Sequence, residues 1–237
     1  MTEKVSVIIP TFNEASAIGE TIQAVRKTDQ NIEIIVVDGG SSDNTVQIAE
    51  SCGVTTLRCF AGRGIQMSEG AKVATGEILW FLHADTIPEP KAVEAIRNIL
   101  KNEEIVGGNF TIRFDGNSKA AGFLTWLYPH LRKIGLLYGD SAIFVRRNSY
   151  QKVGGFKDLR LFEDLEFVNR LKKTGKLAYL STEVFTSSRR FEGRSFVLTF
   201  LRWSIFQGLY WIGVKPNLLA NWYYPIRSSA LPDKSLP

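Results

Sequence analysis

Three apolar runs in the first third of the chain each end in an acidic residue: Val5-Ser-Val-Ile-Ile-Pro-Thr-Phe-Asn-Glu14, Ile34-Ile-Val-Val-Asp38 and Ile78-Leu-Trp-Phe-Leu-His-Ala-Asp85. Runs this short and this rich in β-branched residues predict buried strands. Between the first two, Ile18, Ile22 and Val25 recur at helical spacing and predict a crossover helix, which makes a βαβ unit. The turn-forming string Gly39-Gly-Ser-Ser-Asp-Asn-Thr45 leads into a helix with Val46 and Ala49 inward, capped by Ser42 or Asp43 and ended by Gly53. A short strand near Val54–Cys59 precedes Gly62-Arg-Gly64 in a loop, a helix stopped by Gly76, and the third long strand from Glu77. Pro88 and Pro90 open a further helix carrying Val93, Ile96 and Leu100.

Beyond that helix the regularity weakens. Val106–Phe114 and Ser141–Arg146 predict strands, and the aromatic stretch between them, with Phe123, Trp126 and Tyr128, predicts a helix or lid. Glu163-Asp164 opens a helix with Leu165, Val168 and Leu171 inward, closed by Gly175. Phe196 to Val214 is strongly apolar but is interrupted by Arg202 and Gln207, a poor match to the ~20 clean apolar residues of a membrane span. An interfacial or protein-covered helix fits better, with Trp203, Tyr210, Trp211, Trp222, Tyr223 and Tyr224 suited to the headgroup level; the alternative is a core or oligomer helix.

The alternation of strands and helices predicts an α/β fold with a Rossmann-like, mostly parallel central sheet flanked by helices, an irregular region after it and a C-terminal aromatic helix. In an open parallel sheet the ligand sits beyond the carboxyl ends of the strands, so Glu14, Asp38 and Asp85 are expected to converge on one crevice. Gathered carboxylates repel one another, and such a site makes sense where a cation, a sugar hydroxyl or a base N–H is bound.

At 237 residues the chain can bury a full core as one domain, read here as a nucleotide half (1–115), a second half (116–191) and a helical extension with a tail (192–237). With 44% hydrophobic and 22% charged residues, extensive disorder is not expected; Pro232 to Pro237 reads as a loose tail. The net charge of +5 hides an asymmetry: residues 1–115 carry 10 Lys and Arg against 16 Asp and Glu, and residues 116–237 carry 19 against 8. A basic second half suggests an anionic partner such as a diphosphate or an acidic lipid headgroup, with a solvated basic face as the plain alternative. Cys52 and Cys59 form neither a zinc spacing nor a disulfide framework, and the N-terminus lacks the build of a signal peptide, so a cytoplasmic setting is expected.

Taken together, Val5–Glu14, Val36-Val-Asp-Gly-Gly-Ser-Ser-Asp-Asn-Thr45, a strand ending in His83-Ala-Asp85 and the later Glu163-Asp164 pair resemble family 2 glycosyltransferases of the GT-A fold, over roughly Val5 to Phe191. Gly62-Arg-Gly64, Leu82–Thr86, Tyr138–Arg147 and Ser187–Arg190 are similar to a bacterial subgroup of short members. The resemblance implies a metal-dependent, inverting transfer of a single sugar from a nucleotide diphosphate donor, UDP-linked, to a hydroxyl acceptor; the basic second half with Trp203, Trp211 and Trp222 points to a lipid or lipid-linked one. The resemblance assigns Pro10, Thr11, Glu14, Asp38, Asp43, Arg63, His83 and Ala84 to the donor, with Glu14 and Asp38 on the nucleoside and Arg63 on phosphate. Asp85 is implied as ligand of Mn²⁺ or Mg²⁺. The family's Asp-X-Asp reads His83-Ala84-Asp85 here, which leaves His83 either a second ligand or a hydrogen-bond donor to phosphate. Asp164 is implied as the base that deprotonates the acceptor, with Asp140 and Glu163 beside acceptor or diphosphate and Arg189 and Arg190 on the leaving group. Arg146 and Arg147 are assigned to the surface or the fold.

Processive members carry Gln-X-X-Arg-Trp and several membrane spans; the nearest string here is Thr199-Phe-Leu-Arg-Trp203, which favours single transfer. A sugar nucleotidyltransferase would want a Gly-rich basic loop after the first strand, where this chain has Thr11-Phe-Asn-Glu14. The remaining alternative is a catalytically silent nucleotide-sugar-binding or membrane-docking module. Expected partners are the donor, the acceptor, an anionic membrane surface at the inner membrane face and a second copy of the chain, with no nucleic acid.

Overall fold

The computed structural model describes residues 3–115, 119–133, 139–187 and 196–223. The elements are β1 (Val5–Thr11), α1 (Ile18–Arg26), β2 (Glu33–Asp38), α2 (Thr45–Ser51), β3 (Thr55–Arg58), α3 (Arg63–Val73), β4 (Ile78–Phe81), β5 (Thr86–Pro88) and α4 (Ala92–Ile99). They continue with β6 (Ile105–Phe114), α5 (Lys119–Lys133), β7 (Phe144–Arg146), α6 (Arg147–Lys152), α7 (Glu163–Leu171), β8 (Lys176–Thr186), α8 (Phe196–Trp211) and α9 (Pro216–Tyr223). Eight strands make one sheet in the order β3-β2-β1-β4-β7-β6-β8-β5. The half that contains β3, β2, β1 and β4 is parallel; β7 runs antiparallel to both its neighbours, and β5 runs antiparallel to β8.

Side chains alternate between two cores, as the period of a strand requires. Val5, Val7 and Ile9 of β1, with Ile34 and Val36 of β2, face α1, α2, α4 and α5. Ile8, Ile35 and Val37 face α3, α6 and α7. Both faces are therefore covered, which is why these strands read as unbroken apolar runs. At Gly70 of α3 a Cβ would stand 2.5 Å from Ile8 Cγ2, so the absence of a side chain lets the helix lie directly on β1. Arg146 and Arg147 serve the fold: Arg146 Nε donates to Ile105 O at 3.0 Å and Arg147 Nε to Gly76 O at 2.6 Å.

Several elements differ from the pattern reading. Arg63 and Gly64 begin α3 and are not in a loop. Pro88 lies in β5, the last strand of the sheet order, where one missing N–H is tolerated. The strand expected from Ser141 begins only at Phe144, because Gly139–Ser141 form a 3₁₀ turn and Ala142 takes φ 55°. The 11-residue β8 and the short α6 had no counterpart in the pattern. Trp203, expected at a headgroup level, packs against the core, whereas Trp211 and Trp222 are exposed. Among the described residues no helix is long and apolar enough to cross a membrane. Arg189, Arg190, Tyr224 and the tail from Pro232 lie outside the described residues.

Candidate functional site

The carboxyl ends of β1 and β2 are joined through polar side chains of the loops that follow them. Thr11 and Asp38 are register partners, and Gly39 N donates to Thr11 O at 2.9 Å. Asp38 is 1% exposed, and its loop fills its acceptor positions: Oδ2 takes Gly40 N at 2.9 Å and Ser41 N at 2.8 Å, while Oδ1 takes Thr11 Oγ1 at 3.2 Å and the Ser41 hydroxyl. A carboxylate offers about four such positions, so this one is saturated. The two loops are stitched further by Asn13, whose N donates to Ser41 Oγ and whose Oδ1 accepts from Ser42 N, both at 2.8 Å. Asn13 sits at φ 56°, a region that Asn tolerates better than most residues.

Asp43 accepts from Ala15 N at 3.1 Å and from Thr45 N at 3.0 Å. The Thr45 hydroxyl also donates to it, and that bond, ahead of those from the backbone, holds the Asp43 carboxyl below its ordinary pKa. Glu14 is half-buried; its N donates to Thr45 Oγ1 at 2.8 Å and its carbonyl accepts from Ala17 and Ile18 at the start of α1. From below, Gln66 of α3 donates to Thr11 O and Val37 O, both at 2.7 Å, and so ties β1 to β2 beneath the loops. Pro10 and the buried Thr11 complete the β1 end.

A second group forms where α3, α7 and the turn after β4 meet. At Gly64 a Cβ would lie 2.6 Å from Lys157 O and 3.3 Å from Glu163 Cβ, so the starts of α3 and α7 touch through a bare backbone. This closeness pairs Arg63 Nε with Glu163 Oε1, whose side chain is 2% exposed. Among the described residues the terminal nitrogens of Arg63 have no hydrogen-bond partner, and the side chain keeps 35% of its exposure. Burial alone would favour its neutral form, but the charges of Glu163, Asp164 and Asp140 outweigh that and raise its pKa above the ordinary value.

His83 follows β4 in the chain, and its Nδ1 lies 3.3 Å from Asp140 Oδ1; Asp140 Oδ2 accepts from Tyr128 OH at 3.3 Å. Ala84 is buried and its carbonyl accepts from Thr21 Oγ1 at 2.7 Å. Asp85 is half-buried, and its carbonyl accepts from Ser187 N at 3.2 Å, which brings the end of β8 beside it. Asp164, 6% exposed, sits in the first turn of α7, where its Oδ1 accepts from Leu165 N at 2.7 Å and the helix dipole favours a negative charge.

The residue just before α7, Phe162, takes the left-handed conformation at φ 60° and stacks on Tyr210 of α8, ring centroids 4.7 Å apart. Burial first, and then the charges of Glu166 and Asp164, push the Tyr210 phenol up.

The structure thus brings Arg63, Asp140, Glu163 and Asp164 within electrostatic reach of one another, with His83 against Asp140 and Asp85 two residues farther along the same turn. Asn13, Thr45 and Gln66 are not singled out by the sequence reading, and Tyr210, expected at a headgroup level, stacks on Phe162. Only Gln66 left a signal, a polar residue on the inward face of a helix one turn after Gly62-Arg-Gly64. Among the described residues no group of three or more His, Cys, Asp and Glu could hold a metal. Asp85 and His83 stand on the turn after β4, and a carboxylate and an imidazole are donor types that a divalent ion accepts.

Residues 6–160 match the family model of Glycosyl transferase family 2. An uncharacterized protein of Methanocaldococcus jannaschii is 30% identical over 73% of this chain and 77% of its own length. The cholesterol galactosyltransferase of Borreliella burgdorferi is 29% identical over 79% of this chain and 60% of its own length. Several curated relatives are longer proteins, of which this chain spans less than half. The crystal structure of S. aureus TarS 1-349 in complex with UDP-GlcNAc superimposes with a TM-score of 0.62 at 21% identity, over 82% of this chain and 60% of that one, and shares its fold. With more than half of the chain matched by the family model and the fold of a glycosyltransferase around the site, the chain belongs to glycosyl transferase family 2.

Proposed function

We propose that this glycosyltransferase moves a single sugar from a UDP-linked donor to a hydroxyl acceptor, with inversion at the anomeric carbon and Mn²⁺ or Mg²⁺ as cofactor. The observation that carries the reading is the Arg63 cluster: a cation paired with Glu163 through Nε, within the field of Asp164 and Asp140, whose terminal nitrogens have no hydrogen-bond partner among the described residues. A guanidinium so placed suits a diphosphate, and a carboxylate beside it suits a hydroxyl that must lose its proton. TarS, with the same fold, forms a complex with UDP-GlcNAc, which supports the donor class. The B. burgdorferi relative is named for a lipid acceptor, cholesterol, which supports a lipid or lipid-linked acceptor here.

In this reading Glu14 and the backbone of the stitched loops meet the nucleoside, and Asp38 and Asp43 act by shaping those loops. Asp85 would hold the divalent ion, with His83 as second ligand or as donor to a phosphate oxygen. When bound, the ion supplies positive charge to the departing diphosphate. Asp164 takes the proton of the acceptor hydroxyl as that oxygen attacks the anomeric carbon from the face opposite the leaving UDP, and the sugar–phosphate bond breaks with its electron pair going to the diphosphate. Arg63 steadies that charge, and Arg189 and Arg190, two and three residues after Ser187, are assigned to the same task.

A thermal-shift panel of nucleoside diphosphates with and without Mn²⁺ tests this. UDP should stabilise the protein more in the presence of Mn²⁺, and Asp85→Ala should erase that increment. A variant that keeps the full response to Mn²⁺ overturns the metal assignment.

A further inference from the structure

α8 and the residue that follows it carry four exposed aliphatic side chains. Leu198, Leu201, Ile205 and Ile212 fall within one narrow stripe at 100° per residue, and their exposures are 68%, 53%, 51% and 78%. The opposite side turns inward and includes a polar side chain: Gln207 is 8% exposed, Trp203 packs against the core and Tyr210 stacks on Phe162. For a helix on a water-facing surface this is inverted, since such helices put polar residues outward. α9 adds two exposed apolar residues, Leu218 and Trp222, at 46% and 54%, and Arg202 joins the two helices through a hydrogen bond to Trp222 O at 3.3 Å.

The charge of the same segment selects its partner. From Phe196 to Tyr223 there are two cations, Arg202 and Lys215, both exposed, and no Asp or Glu. A surface that is apolar, cationic and free of carboxylates complements an anionic bilayer, where aliphatic side chains enter the acyl boundary while cations stay with the headgroups. Among the described residues α8 is too short to cross: its 16 residues reach ~24 Å, short of the ~30 Å hydrocarbon core.

We infer that the outer face of α8 and α9 is a docking surface for an anionic lipid bilayer, on which the enzyme lies without spanning it. This deepens the lipid-acceptor reading and takes its purpose from it. The inner face of the docked helix holds Tyr210 against Phe162, the residue before Glu163-Asp164, so a bilayer under α8 lies one helix thickness from the proposed base.

The test is co-sedimentation of the full chain with phosphatidylcholine vesicles containing graded phosphatidylglycerol, at low and high salt. Binding should rise with phosphatidylglycerol and fall with salt. L201E/I205E should lower it at least tenfold, and R202A/K215A about fivefold per charge removed. Both variants alter exposed residues, and unchanged circular dichroism and unchanged thermal stabilisation by UDP with Mn²⁺ verify their fold. Equal, negligible binding to neutral and anionic vesicles overturns the inference. So does light scattering that shows a dimer dissociated by L201E/I205E with no vesicle binding, because the stripe is then an interface between two copies. The UDP response is read without vesicles, so failure of the donor reading and failure of the docking surface are separate results.

Discussion

Asp38 and Glu163 are carboxylates with almost no exposure, and the molecule compensates them by different means. Asp38 lies in a cradle of backbone N–H groups and hydroxyls from its own and the neighbouring loop. Glu163 is held by the guanidinium of Arg63, whose field is shared with Asp140 and Asp164. A cradle of neutral dipoles has nothing to yield when an anion arrives, and it keeps the ends of β1 and β2 in one shape. On the proposed reading, a diphosphate would compete with the three acids for the charge of Arg63. The first arrangement suits a rigid recognition wall and the second suits a place where charge moves during reaction.

The sharpest way to divide the two regions is Asp164→Asn. It should cost at least ~10²-fold in transfer rate while leaving donor affinity nearly intact, as removal of a general base does. Near-normal turnover, or retention of anomeric configuration in the product, counts against a base at this position.

Asp38→Ala should show the opposite profile. With several internal hydrogen bonds to a charged group lost, the fold should be destabilised by about 2 kcal/mol in chemical denaturation, and nucleoside affinity should fall with it. Full stability with lost affinity alone would show that Asp38 meets the ligand directly. Arg63→Ala should weaken UDP by about tenfold and leave uridine binding unchanged, the loss of one charge-assisted contact to phosphate. Equal weakening of both, measured by calorimetry, would move Arg63 to the nucleoside side.

The smallest effect concerns Asp43. Its pKa is held below the ordinary 3.8, chiefly by the Thr45 hydroxyl, so its contribution to stability is present above that value and lost as pH falls through the lower folded value. The melting-temperature gap between the protein and Asp43→Asn should therefore close on acidification below pH 3.8. A gap that stays constant there would mean that Asp43 serves as a neutral turn former.

The parallel half of the sheet was readable because burial on two faces leaves unbroken apolar runs, and the helices over it kept the 3.6-residue period at Ile18, Ile22 and Val25 and again at Val93 and Ile96. β8 was not readable: Ser181, Thr182 and Glu183 interrupt its alternation, and its place is set by distant partners on β6 and β5. The residues at the strand ends were legible as types but not in their partners. Nothing in chain order shows that His83 meets Asp140, or that the acceptor positions of Asp38 are already taken by Thr11, Gly40 and Ser41. Those are facts of loop closure, settled by Asn13 and Thr45 reaching across from one turn to the other.

Phe162 carries a further consequence. A bulky residue at φ 60° is uphill by roughly 1–2 kcal/mol, and the stack on Tyr210 offsets part of that cost from a helix almost fifty residues later. The matched family region ends at residue 160, before this joint, before α7 and before the strand to which β6 and β5 are bonded. A fragment cut at residue 160 would hold the stitched loops that follow β1 and β2 but neither Asp164 nor the ring that pins the turn in front of it. If Asp164 is the base proposed above, the shortest working piece of this chain extends through α8, beyond the residues that the family model matches.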